Sequence, residues 1–240
     1  MNGPAKSGGG HGRMHAFGWK GSFAGGVTRF DQYAPRPGRE DEWKGLTDGK
    51  ITQVARHLVN RFGMLYRHGL QEVEGHAAKE GIPRFDAAHV DLDIGEPDNL
   101  PSGANSLTVT CDGFSNIHHR DRDTSPWAFG IFWSGKSKGG RFTGEVSDVS
   151  EEISGGEFWW AEYGVAVGAA PDHVYAEVAW RAPRDYHGTL ACNLRDGLTW
   201  KTATMNRWAC SMQITKRLED KIKATKALGG YKPGHVATRL

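Results

Sequence analysis

Apolar residues follow a helical spacing in the first third of the chain. The apolar positions of the first predicted helix are Ile51, Val54, Ala55, Leu58, Val59 and Phe62. Their separation by three or four residues is typical of one helix face, and Thr47 or Asp48 is available as an N-cap. A second helix is predicted over 64–80, because Gly81 and Pro83 follow it and such residues end helices.

From residue 107 onward the pattern changes to short apolar runs separated by Gly- and Ser-rich turns. The predicted strands are 107–110, 128–133, 158–160, 165–167, 174–180, 187–190 and 208–214. Many short strands after a pair of helices predict an α+β, mainly β fold. We expect residues 105–215 to form a double-stranded β-helix, or jelly roll.

The two ends of the chain have a different composition from its centre. Residues 1–40 show weak periodicity and predict an irregular segment, but Phe17, Trp19, Phe23 and Phe30 are too apolar for a free linker and predict packing on the core. Residues 41–215 are the predicted folded domain, with its helices at 47–80. Residues 216–240 predict a basic helical tail.

Composition excludes several protein classes. Three cysteines without C-x-x-C spacing, Cys111, Cys192 and Cys210, argue against a disulfide framework and a thiolate zinc site. The chain has no signal-peptide core and no apolar run near about 18 residues, so we expect a soluble intracellular protein, with the nucleus as one compartment. A net charge of +2 leaves nucleic-acid binding to local clusters.

A His-x-Asp pair, His119 and Asp121, lies soon after the first predicted strand. In an extended segment residues i and i+2 share a face, so both side chains can reach one point. His187, in the strand-like stretch 184–190, would complete a triad of two histidines and one carboxylate. Such a triad leaves positions open for oxygen and a chelating cosubstrate, which predicts ferrous iron as the metal.

Two arginines follow the second histidine and could anchor a cosubstrate carboxylate. Arg207 opens the predicted strand that ends the sheet, and its guanidinium could pair bidentately with the distal carboxylate of 2-oxoglutarate. Arg195 lies closer to His187 and is the competing candidate. Arg207 is preferred because it begins the better apolar strand.

Residues 116–123, Asn-Ile-His-His-Arg-Asp-Arg-Asp, precede an apolar run at 127–133. This arrangement resembles the iron-binding segment of the fungal and algal Tet/JBP-like Fe(II)/2-oxoglutarate dioxygenases, where an N-x-x-H-x-D-x-D pattern precedes an apolar strand. Residues 156–165 and 185–190 resemble later strands of that family, as does Arg207 with Ser211 and Gln213. The resemblance covers roughly residues 100 to 215.

The resemblance implies Fe(II) and 2-oxoglutarate as cofactors, with His119, Asp121 and His187 as iron ligands and Arg207 with Ser211 at the cosubstrate. It also implies that the N-terminal helices buttress the large sheet. The implied activity is oxidation of a methyl group, with 5-methylcytosine in DNA as the favoured substrate. The alternatives are the same chemistry on a protein or small molecule, and a catalytically silent jelly-roll binding module.

Substrate contacts are predicted from polar residues near the triad and from a basic stretch. Asn105 and Asn116 could read a base edge, although turn capping is equally expected of each. His118 could contact substrate, with packing on the sheet as the alternative. Asp123 could contact substrate or orient a metal ligand. The candidates for phosphate contact are Lys216, Arg217 and Lys221, for which a solvated helix face is the alternative.

Overall fold

The computed structural model describes residues 12–21, 30–35, 37–47, 49–87, 104–168 and 175–228, which form a mainly β structure with three α-helices. The strands are β1 (Arg13–Gly21), β2 (Phe30–Gln32), β3 (Ser106–Cys111), β4 (Asn116–His119), β5 (Ala128–Lys138), β6 (Arg141–Val146), β7 (Ile153–Gly155), β8 (Phe158–Trp160), β9 (Val165–Val167), β10 (Tyr175–Trp180), β11 (His187–Thr189), β12 (Cys192–Leu194) and β13 (Met205–Gln213). The helices are α1 (Glu40–Thr47), α2 (Lys50–Glu80) and α3 (Lys216–Ala227). The α+β, mainly β class is therefore confirmed. Among the described helices, none is long and apolar enough to cross a membrane.

The strands form three sheets. The largest has the order β10-β5-β13-β3-β1-β2, with β6 paired to β5 outside this path. A second sheet has the order β4-β11-β8-β9, and β12 pairs with β7 in the third. The registers in the two smaller sheets are antiparallel, so side chains of facing residues lie on the same side of the sheet.

The predicted strands agree with the structure where the apolar run is short and uninterrupted. The runs at 158–160 and 165–167 coincide with β8 and β9, and those at 107–110 and 187–190 match β3 and β11 to within a residue. The run at 174–180 matches β10, with residue 174 outside the described residues. β5 extends beyond its predicted end at 133, and β13 begins before the predicted start at 208.

The N-terminal segment is not irregular, which corrects the prediction for residues 1–40 where the structure describes them. β1 and β2 pair in antiparallel register, with Trp19 facing Gln32. Trp19 is buried, and Phe17 stacks on Trp43 with ring centroids 4.8 Å apart. The predicted packing of Phe17 and Trp19 is confirmed, whereas Phe23 and the side chain of Phe30 lie outside the described residues.

The chain divides into two compact units. The first, called the site unit, contains Met1–His15, Thr108–Asp121 and Phe129–Ser211. The second, called the helical unit, contains Ala16–Leu107, Arg122–Ala128 and Met212–Leu240.

In the helical unit, the two predicted helices form one helical span, α2, that bends at Tyr66. The backbone of Tyr66 has φ −151° and ψ 82°, which interrupts the helical conformation near the predicted break. Gly81 ends α2 in the left-handed conformation, as predicted, and its N–H donates to the Ala78 carbonyl. The predicted Thr47 cap is wrong, because the Thr47 hydroxyl donates to carbonyls within α1, and Asp48 lies outside the described residues.

The predicted basic helix is α3, and its buried residues are Leu218, Glu219, Ile222 and Thr225. The spacing of these residues places them on one face. Glu219 is the charged residue of this set. Its carboxylate oxygens lie 2.8 Å from His76 Nε2 of α2 and 2.5 Å from Lys223 Nζ.

Candidate metal centre

The two histidines of the predicted triad face each other across neighbouring strands. His119 ends β4 and His187 begins β11, and the antiparallel register pairs them directly. Side chains of paired residues project from the same side of a sheet. The two imidazole rings therefore meet, with centroids 4.7 Å apart.

Asp121 completes the group from just beyond the end of β4. Its backbone N–H donates to the Ala182 carbonyl at 2.9 Å, which fixes the segment that follows β4. The Asp121 carboxylate lies between the histidines, 3.1 Å from His119 Nε2 and 3.4 Å from His187 Nε2. One ligand atom from each residue lies within 4.8 Å of the others, so the three residues could hold one metal ion.

The hydrogen bonds of both histidines engage Nδ1 and leave Nε2 available to a metal. His119 Nδ1 lies 2.8 Å from the Ile117 carbonyl, and His187 Nδ1 lies 2.8 Å from the Asp185 carbonyl. A carbonyl oxygen only accepts, so Nδ1 of each ring carries a proton, and Nε2 is the ring nitrogen that faces Asp121. Two neutral imidazoles and one carboxylate fit Fe(II) in a non-haem site.

The charge state of Asp121 suits metal binding. Burial raises the pKa of its carboxyl, but hydrogen bonds and charge interactions with His119 and His187 outweigh burial and lower that pKa to about 2. The carboxylate is therefore ionised at neutral pH. The two histidines differ in exposure: the His187 side chain is 4% exposed, and the His119 side chain is 35% exposed. The site is closed on the His187 side and open on the His119 side.

Aromatic side chains line the closed side. The Phe158 and Trp180 rings lie 5.5 Å and 5.7 Å from the His187 ring, measured between centroids. Phe132 packs on Phe158 at 4.8 Å. This apolar wall excludes water from one side of the three ligands, which strengthens electrostatic interactions within the site.

Arg207 and Arg195 have different surroundings. Arg207 is partly buried in β13, and its guanidinium donates to the Gly155 carbonyl. A Cβ added at Gly156 would lie 3.1 Å from that guanidinium, so the glycine leaves room for it. Arg195 is exposed after β12, where its backbone N–H donates to the Glu152 carbonyl.

Strand alternation shows which face of the sheet Arg207 occupies. Trp208 stacks on Trp133 of β5, the neighbouring strand. Phe132, adjacent to Trp133 in the chain, projects from the opposite face of the sheet. Its ring contacts the Phe158 ring, which in turn packs against the His187 ring. Arg207 precedes Trp208 and so projects from the Phe132 face. Ser211 follows two alternations later on that same face of β13.

His118 and Asn116 lie on β4 but serve packing and strand pairing. The His118 ring lies over Trp159 at 3.9 Å and meets Tyr186 edge-on at 5.6 Å. The Asn116 side-chain oxygen accepts from the Thr189 N–H at 2.7 Å, which ties β4 to β11. These contacts agree with the packing alternative for His118, and they give Asn116 a role in aligning the two histidine-bearing strands.

The predicted substrate role of Asn105 needs correction. Asn105 has no exposed surface and belongs to the helical unit. Its side-chain N–H groups donate to the Trp19 carbonyl and the Thr215 hydroxyl, and its side-chain oxygen accepts from the Thr215 N–H. A buried amide with these partners stabilises the fold and is not available to a base edge.

The remaining predicted contact residues also lie in the helical unit. Asp123 forms an isolated antiparallel bridge with Thr215. Lys216 and Arg217 are exposed at the start of α3, and Lys221 is partly exposed. Lys216 pairs with Asp220 at 2.8 Å, so part of the basic stretch is neutralised within its own helix.

Sequence reasoning did not single out Asp185 and Tyr163. The Asp185 carboxylate is buried and accepts hydrogen bonds from Arg181 and Tyr163. The sequence contains only an indirect signal for Asp185, an acidic residue two positions before a candidate ligand. Asp185 lies in the loop that precedes β11.

Comparison with protein-family models places the chain in a family. A family model described as the Tet-like 2OG-Fe(II) oxygenase superfamily matches residues 1–192, which include all three residues of the candidate metal centre. No curated protein sequence matches the chain significantly.

Proposed function

This chain belongs to the Tet-like 2OG-Fe(II) oxygenase superfamily, and on that premise we propose that it oxidises a methyl group, with 5-methylcytosine in DNA as the substrate. The family makes the chain an oxidoreductase with Fe(II) and 2-oxoglutarate as its cofactors. The observation that carries the proposal is the convergence of His119, Asp121 and His187 at one point.

In the proposed centre, His119, Asp121 and His187 hold Fe(II). Bound Fe(II), with 2-oxoglutarate and oxygen, supplies the oxidising chemistry that protein side chains lack. The chain contributes ligand orientation through the two Nδ1 hydrogen bonds and an apolar wall of Phe158 and Trp180. The open side at His119 is the side from which a substrate can approach.

Arg207 is the proposed anchor for the distal carboxylate of 2-oxoglutarate. Its support is its position on the sheet face that carries Phe132, together with its partial burial. A guanidinium with little water around it binds a carboxylate more strongly than one in solvent. Arg195 is exposed, which favours it less for this role. Ser211 is proposed to assist from the same face.

The finer fold assignment belongs to the same proposal. We take the strands of residues 105–215 as a double-stranded β-helix within a dioxygenase domain of residues 41–215. The 216–240 basic tail would follow that domain, whereas the 1–40 segment contributes β1 and β2 to the large sheet. The antiparallel pairing of β4, β11, β8 and β9, which carries two of the three ligands, supports this arrangement.

The proposed DNA substrate rests on basic residues of α3. The exposed Lys216 and Arg217, with Lys221, are proposed to contact phosphates, and a DNA substrate would place the protein in the nucleus. The pairing of Lys216 with Asp220 instead favours the second candidate function, the same chemistry on a protein or small molecule. The complete donor set argues against a silent binding module.

Mass spectrometry of methylated DNA tests the proposed substrate. The protein is incubated with Fe(II), 2-oxoglutarate, oxygen and ascorbate, and succinate formation is followed in parallel. We expect oxidised 5-methylcytosine together with succinate, and neither product from a His187→Ala variant. Succinate without oxidised cytosine would contradict the DNA substrate and favour the second candidate.

A further inference from the structure

One loop holds two of the three proposed iron ligands through backbone carbonyls. Between β10 and β11, the Ala182 carbonyl accepts from the Asp121 N–H at 2.9 Å. The Asp185 carbonyl of the same loop lies 2.8 Å from His187 Nδ1. The separation between Asp121 and His187 therefore depends on the conformation of the loop at residues 181–185.

The Asp185 carboxylate fixes that conformation through hydrogen bonds to Arg181, at the other end of the loop, and to Tyr163. One of its oxygens accepts from the Arg181 backbone N–H at 2.9 Å, and the other accepts from the Arg181 guanidinium and the Tyr163 hydroxyl, each at 3.0 Å. The loop also closes through its backbone, because the Asp185 N–H donates to the Arg181 carbonyl. Pro183 restricts the backbone further. A buried carboxylate with three donors is costly to disturb.

The 3-10 turn at Ala161–Tyr163 contacts both ligand-bearing segments through adjacent residues. Glu162 pairs with Arg120, which lies between His119 and Asp121, at 2.8 Å. Tyr163 reaches Asp185, two residues before His187. The two contacts differ because Glu162 and Arg120 are both about half exposed, and such pairs contribute little. Tyr163 is also exposed, but its partner, the Asp185 side chain, is 9% exposed. The Tyr163 contact is therefore the one that should matter.

We propose that Asp185 is a positioning residue for the metal centre, acting through His187 and Asp121, with Tyr163 as its support. The proposal rests on the proposed function, since it assigns His187 and Asp121 to the metal. Asp185 does not touch the metal itself. Its carboxylate fixes the loop, and its carbonyl fixes the proton position and orientation of the His187 ring.

Co(II) binding to the metal-free full chain tests this assignment without turnover. The variants are Asp185→Asn, Tyr163→Phe and the matched control Glu162→Gln, which alters the neighbouring exposed pair. Affinity and the visible spectrum of bound Co(II) are measured at a temperature where circular dichroism shows each variant folded. We expect roughly ten- to a hundredfold weaker binding for Asp185→Asn, about three- to tenfold weaker for Tyr163→Phe, and no change for Glu162→Gln.

Each outcome separates this inference from the proposed function. Wild-type affinity in both Asp185→Asn and Tyr163→Phe would overturn the positioning role while leaving the metal centre intact. A loss in Glu162→Gln equal to that in Tyr163→Phe would also overturn it, because the turn would then act only as general support. Failure of the wild-type chain to bind Co(II) would refute the metal centre itself. If Asp185→Asn does not fold, Tyr163→Phe decides.

Discussion

At the scale of single residues, the site depends on which atom of each side chain is already engaged. Both histidines use Nδ1 on a backbone carbonyl two residues earlier in the chain, so both present Nε2 to Asp121. Arg207 is different, because its guanidinium donates to a neutral acceptor, the Gly155 carbonyl. A charged guanidinium gains more from a carboxylate than from a neutral carbonyl, so a cosubstrate can compete for it.

The Arg207 assignment predicts a selective loss of cosubstrate affinity. Arg207→Ala removes a charge-assisted contact worth about 1.5–3 kcal/mol, so 2-oxoglutarate should bind roughly ten- to a hundredfold more weakly to the Fe(II)-loaded protein without oxygen. Calorimetry measures this affinity. Arg195→Ala is the matched control and should change it little, because Arg195 is exposed. The reverse ranking would make Arg195 the anchor.

At the scale of secondary-structure elements, α2 and α3 are joined in the helical unit by a charge cluster around the buried Glu219 side chain. Glu219 of α3 contacts His76 of α2, and Lys223 reaches both Glu219 and Glu80 at the end of α2. Burial raises the pKa of Glu219, but the hydrogen bonds with Lys223 and His76 lower it more than burial raises it. The ionised carboxylate therefore stabilises the contact between the helices.

This cluster predicts a pH-dependent loss of stability in Glu219→Gln. A lowered pKa in the folded state gives stabilisation that is present above the ordinary value of 4.5 and lost as pH falls through the folded value. The variant should be less stable by about 1–3 kcal/mol near neutral pH, and the difference should shrink in acid. Urea unfolding at several pH values measures it, with Asp220→Asn of the exposed pair as control. A difference that does not depend on pH would contradict this role.

At the scale of the whole molecule, the sequence predicts what local pattern determines. The short apolar runs of β8 and β9 and the His-x-Asp pair were found because their signals lie within a few residues. Asn105 was misread because its partners, Trp19 and Thr215, are distant in sequence. The role of Asp185 was likewise invisible, since burial and tertiary hydrogen bonds define it.

The prediction of an irregular N-terminal segment failed for a related reason. β1 is interrupted by Gly18 and by polar residues, so its strand pattern is weak, although pairing within the sheet stabilises it. Tertiary pairing of this kind leaves no periodic signal in one strand. The assignment of iron ligands and of the anchor arginine therefore needs measurement as well as pattern.

Iron stoichiometry of the metal-free protein reloaded anaerobically with Fe(II) tests the central claim most directly. We expect one tightly bound Fe(II) per chain, and loss of that iron in separate His119→Ala, Asp121→Ala and His187→Ala variants, because each removes one of three ligands. His68→Ala, at an exposed position on α2, is the control and should retain full loading. Undiminished iron in a folded His187→Ala variant would contradict the triad and the function built on it.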